Sequence, residues 1–303
     1  VDHSLNKQIN SSKSRFSVFV LLCVLFPLAL HASGKTDTLY IPFGKSGIIA
    51  YDLKTGLLNV YKNKTAFFSN VFAQVEVNGN VVSSTNYTVR TYVKSPISDG
   101  FGKGEKYTIK LTGDGLPEME EVFYTYNDRE YFLTKTEIRG GYLKSNYMEP
   151  FCGNFPSVAG DARTLFVPFD NDTFISYDAK PFTRDTRNVS SEVAAVYENN
   201  SRKGWVVGAV DHKVWKTGAL TLNQKDSLNT IKGWGGYTDA SVTRDKIRHG
   251  FISGAILTSP LIFVGYFDDW RNGLEEYGKA NRIADPPYIF NWTSATPVGW
   301  NSW

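Results

Sequence analysis

Cysteine is scarce in this chain: Cys23 and Cys152 are the only two in 303 residues, beside two Met and four His. That excludes a disulfide-stapled scaffold, which needs several pairs. It also excludes a Cys/His cluster of the kind that holds structural zinc. Neither sign of charge dominates. Lys and Arg number 33, Asp and Glu 30, and a nucleic-acid surface needs clustered positive charge. Long apolar runs are missing with one exception. Phosphate loops, dinucleotide fingerprints and Gly-x-Ser-x-Gly elbows do not occur, and there is no internal repeat.

The one apolar run is Phe16 to Leu30, 15 residues, shorter than the ~20 that a membrane helix needs. Lys7, Lys13 and Arg15 precede it and His31-Ala32-Ser33-Gly34 follows. A positive n-region, an apolar h-region and small residues at a cleavage point read as an export signal over 1–34. Pro27 argues against an uncleaved anchor, and Leu22 before Cys23 is a poor lipidation site. The expected location is therefore secreted or periplasmic, with no membrane contact after cleavage. Past residue 34 the chain carries 30 basic and 29 acidic side chains. Cys152 is then the one remaining thiol, so stability must come from a large core. The sequons at Asn63, Asn86, Asn171, Asn188, Asn199 and Asn291 read as an Asn- and Thr-rich surface.

What the chain has in quantity is aromatic side chains, 15% of all residues, with 26 Gly. This composition favours strands and turns. Tyr87 to Val93, Lys106 to Leu111 and Tyr131 to Ile138 alternate large and polar residues, the period of half-buried antiparallel strands. Asn78-Gly79-Asn80, Gly113-Asp-Gly115, Asn127-Asp128 and Asn199-Asn200 are turn signals between such runs. Gly250 to Phe267 is more continuously apolar and suggests a buried strand pair turning at Ser259-Pro260. About 230 residues built this way predict an all-β fold, a large antiparallel two-sheet sandwich over 35–267.

The period changes at Asp268. Trp270, Leu274, Tyr277 and Asn281 fall on one helical face, with Asp268 or Asp269 as cap. Pro286-Pro287 then ends the helix and starts an extended linker. Residues 268–295 are thus expected to be linker, and 296–303 the start of something new.

Gly299-Trp-Asn-Ser-Trp303, preceded by Pro297, resembles the signature that opens the catalytic (β/α)8 barrel of α-galactosidases and their relatives, glycoside hydrolase families 27 and 36 of clan D. Val298 departs mildly from the Met common there. Arg163 to Asp170 and Gly204 to Gly218 resemble the β-sandwich that precedes this barrel. The resemblance implies a galactose-mutarotase-like supersandwich, then a linker helix and a truncated first barrel strand. It also implies a retaining glycosidase with two aspartates, for which the carboxyls must stand ~5–5.5 Å apart. Those aspartates belong to later strands of a barrel of ~250 residues, so none carries over and no catalytic residue is assigned. Trp303 alone matches a position that lines the sugar pocket. No cofactor or metal is implied. The expected partners are α-galactosides through the parent enzyme and that enzyme's own barrel, with a homo-oligomer left open. The sequence reads as a piece of a longer protein, cut before the active site and inactive alone.

Other candidates have ordinary readings. Asp268-Asp269 suits capping and solvation. Asp170 and Asp172 suit a turn, since no calcium loop follows. His212 and His249 lie far apart. Ser201, Ser253 and Ser259 lack a nucleophile context. Trp205, Trp215 and Trp234 could stack sugars, but sandwich packing explains them better. The rival function is a stand-alone carbohydrate-binding module. A mutarotase-type enzyme would need a general acid and base in one cleft, which two distant histidines do not supply.

Overall fold

Alternating side chains along the strands generate the architecture. The computed structural model describes residues 37–169, 177–224, 228–236, 250–288, 291, 293–295 and 298–299. All belong to one unit, Lys35–Trp303. Among them are nineteen strands, numbered along the chain, and one α-helix.

The first sheet begins with β1 (Thr38–Phe43), β2 (Gly47–Asp52), β3 (Leu58–Lys62) and β4 (Thr65–Val77). It continues in space with β10 (Tyr147–Phe155), β17 (Asn229–Gly236), β16 (Thr217–Leu222) and β13 (Arg187–Ser191). A short β5 (Asn80–Ser83) also pairs with β4. The second sheet runs β12 (Asp178–Pro181), β11 (Ala162–Phe166), β14 (Val193–Glu198), β15 (Gly204–Ala209) and β19 (Ile262–Phe267). Beyond β19 lie β9 (Tyr131–Ser145), β8 (Glu118–Tyr126), β7 (Gly102–Thr112) and β6 (Val89–Asp99). The expected two-sheet antiparallel sandwich is what forms.

The four turn signals fall between β4 and β5, β7 and β8, β8 and β9, and β14 and β15. Asn78 and Gly79 have φ of 51° and 85°, as the mirror-image two-residue hairpin turn requires. Asn63 and Lys64, between β3 and β4, do the same at 50° and 66°.

One expectation is corrected. The 250–267 segment does not turn back at Ser259-Pro260. It forms β18 (Ile252–Thr258) and then β19, and both lie antiparallel to β9 at successive registers, Leu257 opposite Ile138 and Phe263 opposite Leu133. Pro260 has no N–H for a ladder, so the strand jogs there. Ser259 bridges the gap: its Oγ accepts from Thr136 N–H at 2.9 Å, and its own N–H donates to Thr136 O at 2.9 Å. Nor is β18 a buried strand throughout, for Ile256 is 51% exposed.

Aromatic rings knit the two sheets together. Phe68 on β4 meets Trp205 on β15 at 5.3 Å, and Phe43 on β1 meets Phe132 on β9 at 5.1 Å. Such pairs add to the area they bury. Helix α1 (Trp270–Ala284) covers part of the outer face of the second sheet. Asp269 caps it, accepting from Arg271 N–H at 3.0 Å. Tyr277 donates to Ala209 O at 2.6 Å, and the Trp270 ring stacks on Tyr197 at 4.1 Å. Gly273 lets the helix approach closely, because a Cβ there would stand 2.5 Å from the Phe267 ring. No helix among the described residues is long and apolar enough to cross a membrane.

Candidate functional site

At one end of the sandwich the two sheets part and leave a cleft of about 430 Å³. The β3–β4 turn and the segment after β10 form one wall. The β14–β15 hairpin and the end of β19 form the other. Phe67 and Phe155 come from the first sheet, Trp205 and Tyr266 from the second. Phe67 and Tyr266 stand 5.3 Å apart, and Phe155 meets Trp205 edge-on at 4.9 Å. The floor is aromatic because these inward positions belong to the same alternation that builds the core.

The rim is polar, and two of its charges, Lys62 and Glu198, are engaged. Lys62 Nζ donates to Tyr266 O at 2.8 Å and pairs with Glu130 at 3.3 Å. Glu198 accepts from the backbone N–H groups of Ser201, Asn200 and Asp161 at 2.5, 3.2 and 3.3 Å. Donation from Ser201 first of all, then Asn200, holds its carboxyl down at about 2, as expected for a carboxylate bound by amides. Lys203 lies 3.9 Å from Asp268. The buried Nε1–H of Trp205 has no acceptor among the described residues.

Two further polar clusters are buried. Tyr51 OH donates to Glu121 at 2.5 Å inside the sandwich. Desolvation pushes the Glu121 carboxyl up to about 7 against the opposing pull of Tyr51 and Arg90. The Arg90 guanidinium donates to the carbonyls of Lys54 at 2.8 Å, Thr55 at 3.2 Å and Ser84 at 2.7 Å. On the first sheet's other side, Glu149 accepts from Tyr147 OH at 2.5 Å and pairs with Lys232 at 3.2 Å. Cys152, opposite Lys232 in register, is a free buried thiol whose pKa is pushed up by burial and then by Glu149. Both carboxylates are closed off by protein, which suits cohesion rather than acid–base turnover.

Sequence reasoning missed these clusters. Glu121 had a signal, for it falls in the inward register of β8 between Met119 and Phe123. The cleft had none, since its lining comes from four separate stretches of the chain, 62–67, 155–159, 196–205 and 266–268.

Trp205, Trp215 and Trp234 are 2%, 7% and 2% exposed, so core packing is their role and none offers a ring face to solvent. Trp215 Nε1–H donates to Thr258 O at 2.9 Å. Asp269 is the cap, while Asp268 is exposed. His212 Nε2 lies 3.2 Å from Asn281 Oδ1. Ser201 and Ser253 are exposed, and Ser259 bridges the strand jog. Trp303, Asp170, Asp172 and His249 lie outside the described residues, as do 1–34. No group of three metal-ligating side chains occurs among the described residues.

No family model matches the chain, and no curated protein does. Solved structures do. The galactosidase domain of the α-galactosidase–sucrose kinase AgaSK matches with a TM-score of 0.54 at 9% identity, over 79% of this chain and 43% of that one. The GH36 α-galactosidase AgaA of Geobacillus stearothermophilus, as its A355E variant with 1-deoxygalactonojirimycin, matches with a TM-score of 0.51 at 14% identity, over 79% and 42%. AgaA itself gives 0.50 at 15% identity over the same shares. The chain is therefore similar in fold to part of these enzymes and spans less than half their length.

Proposed function

We propose that this chain is the non-catalytic, N-terminal β-sandwich portion of a secreted α-galactosidase-like glycoside hydrolase. The observation that carries the reading is the fold likeness to galactosidase chains over 79% of this sequence, with less than half of each such chain covered. Gly299-Trp-Asn-Ser-Trp303 supports it as the resemblance to a barrel's first strand, and the 1–34 pattern supports export. In the parent enzyme, terminal α-galactosidic bonds would be hydrolysed with retention by two barrel aspartates. The sandwich would pack on the barrel and shape one rim of its pocket. A stand-alone carbohydrate-binding module is the second reading, favoured by the aromatic-floored cleft.

The test is to read the gene past codon 303 and assay both products on an aryl α-galactoside. The expected result is an open frame long enough for a barrel of ~250 residues, activity in the extended protein, and none in the 303-residue chain. A stop codon directly after Trp303, or turnover by the 303-residue chain, overturns the reading.

A further inference from the structure

We propose that Glu121, Tyr51 and Arg90 form a proton-operated latch on the corner between β2 and β3, shut while the carboxyl holds its proton and released as it ionises. This inference does not rest on the function proposed above.

The corner is held from the opposite sheet. Residues 52–57 close on themselves, with Asp52 N–H donating to Leu57 O and Gly56 N–H to Asp52 O, both at 2.9 Å. Arg90, on β6 of the second sheet, fixes this loop. Its guanidinium donates to Leu53 O at 3.4 Å, Lys54 O at 2.8 Å and Thr55 O at 3.2 Å, and to Ser84 O at 2.7 Å. Gly56, at φ 74°, admits the guanidinium, for a Cβ there would stand 2.6 Å from Nη2. Both terminal nitrogens are thus committed to carbonyls, while the buried Nε has no partner among the described residues.

The carboxyl beside this pin is dry. Glu121 is 3% exposed, Arg90 8% and Tyr51 0%. It is faced by Tyr51 from β2, Arg90 from β6, Ser84 from the 84–86 turn and Tyr87 ahead of β6. Only Arg90 among these is charged at neutral pH. A protonated carboxyl fits such a place, whereas a buried carboxylate must find water or a cation. Burial accordingly pushes the Glu121 titration up to about 7.

Either remedy undoes the corner. Arg90 can pair fully with Glu121 only by turning its donors away from Leu53, Lys54 and Thr55. Water can arrive only by parting the same contacts, and Lys54 and Thr55 are exposed. Elsewhere the sheets are joined by rings such as Phe68 and Trp205, which do not titrate, so the release is local.

The experiment is hydrogen–deuterium exchange of the full chain at pH 5 and pH 8, with each amide corrected for its intrinsic rate. The reporters are the bonded N–H groups of Asp52, Leu53 and Gly56. The control is Arg202 N–H, bonded to Glu198 O at 2.8 Å in the β14–β15 hairpin, and the amides of β15 report global unfolding. The opening constant of the corner should rise by up to roughly seventyfold between the two pH values, the limit if opening returns Glu121 to its ordinary titration range, with Arg202 changing less than about threefold. The corner should open more readily than β15 at both. Glu121→Gln should abolish the rise. Tyr51→Phe removes a bond that favours the ionised form and should move the rise to higher pH. A corner indifferent to pH overturns the proposal. So does a rise that persists in Glu121→Gln, one matched by Arg202, or corner amides that exchange only at the β15 rate.

Discussion

Tyr51 and Glu121, 70 residues apart and on opposite sheets, share a 2.5 Å hydrogen bond in the middle of the sandwich. The carboxyl is fully enclosed and its pKa is raised to about 7, from 4.5 when unfolded, with desolvation the leading cause. A raised carboxyl pKa means that the fold prefers the protonated form. This contribution is complete below about 4.5 and is lost as pH rises through about 7. Unfolding free energy should therefore drop by up to about 3 kcal/mol across that window. Glu121→Gln should remove this share of the pH dependence. Urea titrations of both proteins at pH 5 and pH 8 measure it, and an equal pH slope in the two would refute the assignment.

Two glycines of α1 should respond oppositely to alanine. At Gly273 a Cβ would meet Phe267 at 2.5 Å and Val206 at 2.8 Å, so Gly273→Ala must push the helix off the sheet. Overpacking of this kind costs about 1–3 kcal/mol. At Gly278 a Cβ meets nothing within 4 Å, and Gly278→Ala should gain up to about 1 kcal/mol from helix propensity. Thermal melts of the pair decide the matter.

Lys64 sits at φ 66° in the β3–β4 turn. An L-residue there is strained by about 1 kcal/mol, and Asn-Gly is the preferred pair for this turn. Lys64→Gly should raise the melting temperature slightly. A lower one would show that the lysine side chain stabilises the turn in some other way.

Deleting residues 289–303 should leave the melting temperature nearly unchanged. Cutting before Asp268 should not, because it strips α1 from Phe263, Phe267 and Tyr131 and exposes their apolar surface. Aggregation or a large drop in melting temperature is expected for the second deletion. If the first deletion is as damaging as the second, the 289–303 segment belongs to the core.

Most of the sandwich was legible because its signals are local. Asn78-Gly79 and Asn199-Asn200 mark hairpins by their own backbone preferences, and Tyr131 to Ile138 shows its buried face by alternation. The 268–281 helix was readable from Trp270 and Tyr277 for the same reason. Ser259-Pro260 misled because a proline after serine looks like a turn. Whether the chain reverses or jogs depends on β9, more than 100 residues upstream. The Tyr51–Glu121 pair and the cleft were invisible for a related reason. Lys62 and Tyr266 meet across 204 positions of chain, and no spacing rule reaches that far.

Cys152 gives the fold a chemical temperament. Thiol–disulfide exchange proceeds through the thiolate, and only an accessible one reacts. Cys152 is 6% exposed and its ionisation is opposed by burial and by the neighbouring Glu149. The folded molecule therefore has almost nothing to offer a mixed disulfide on this side chain. An oxidising medium should therefore leave the Cys152 thiol of the folded molecule as a reducing one does.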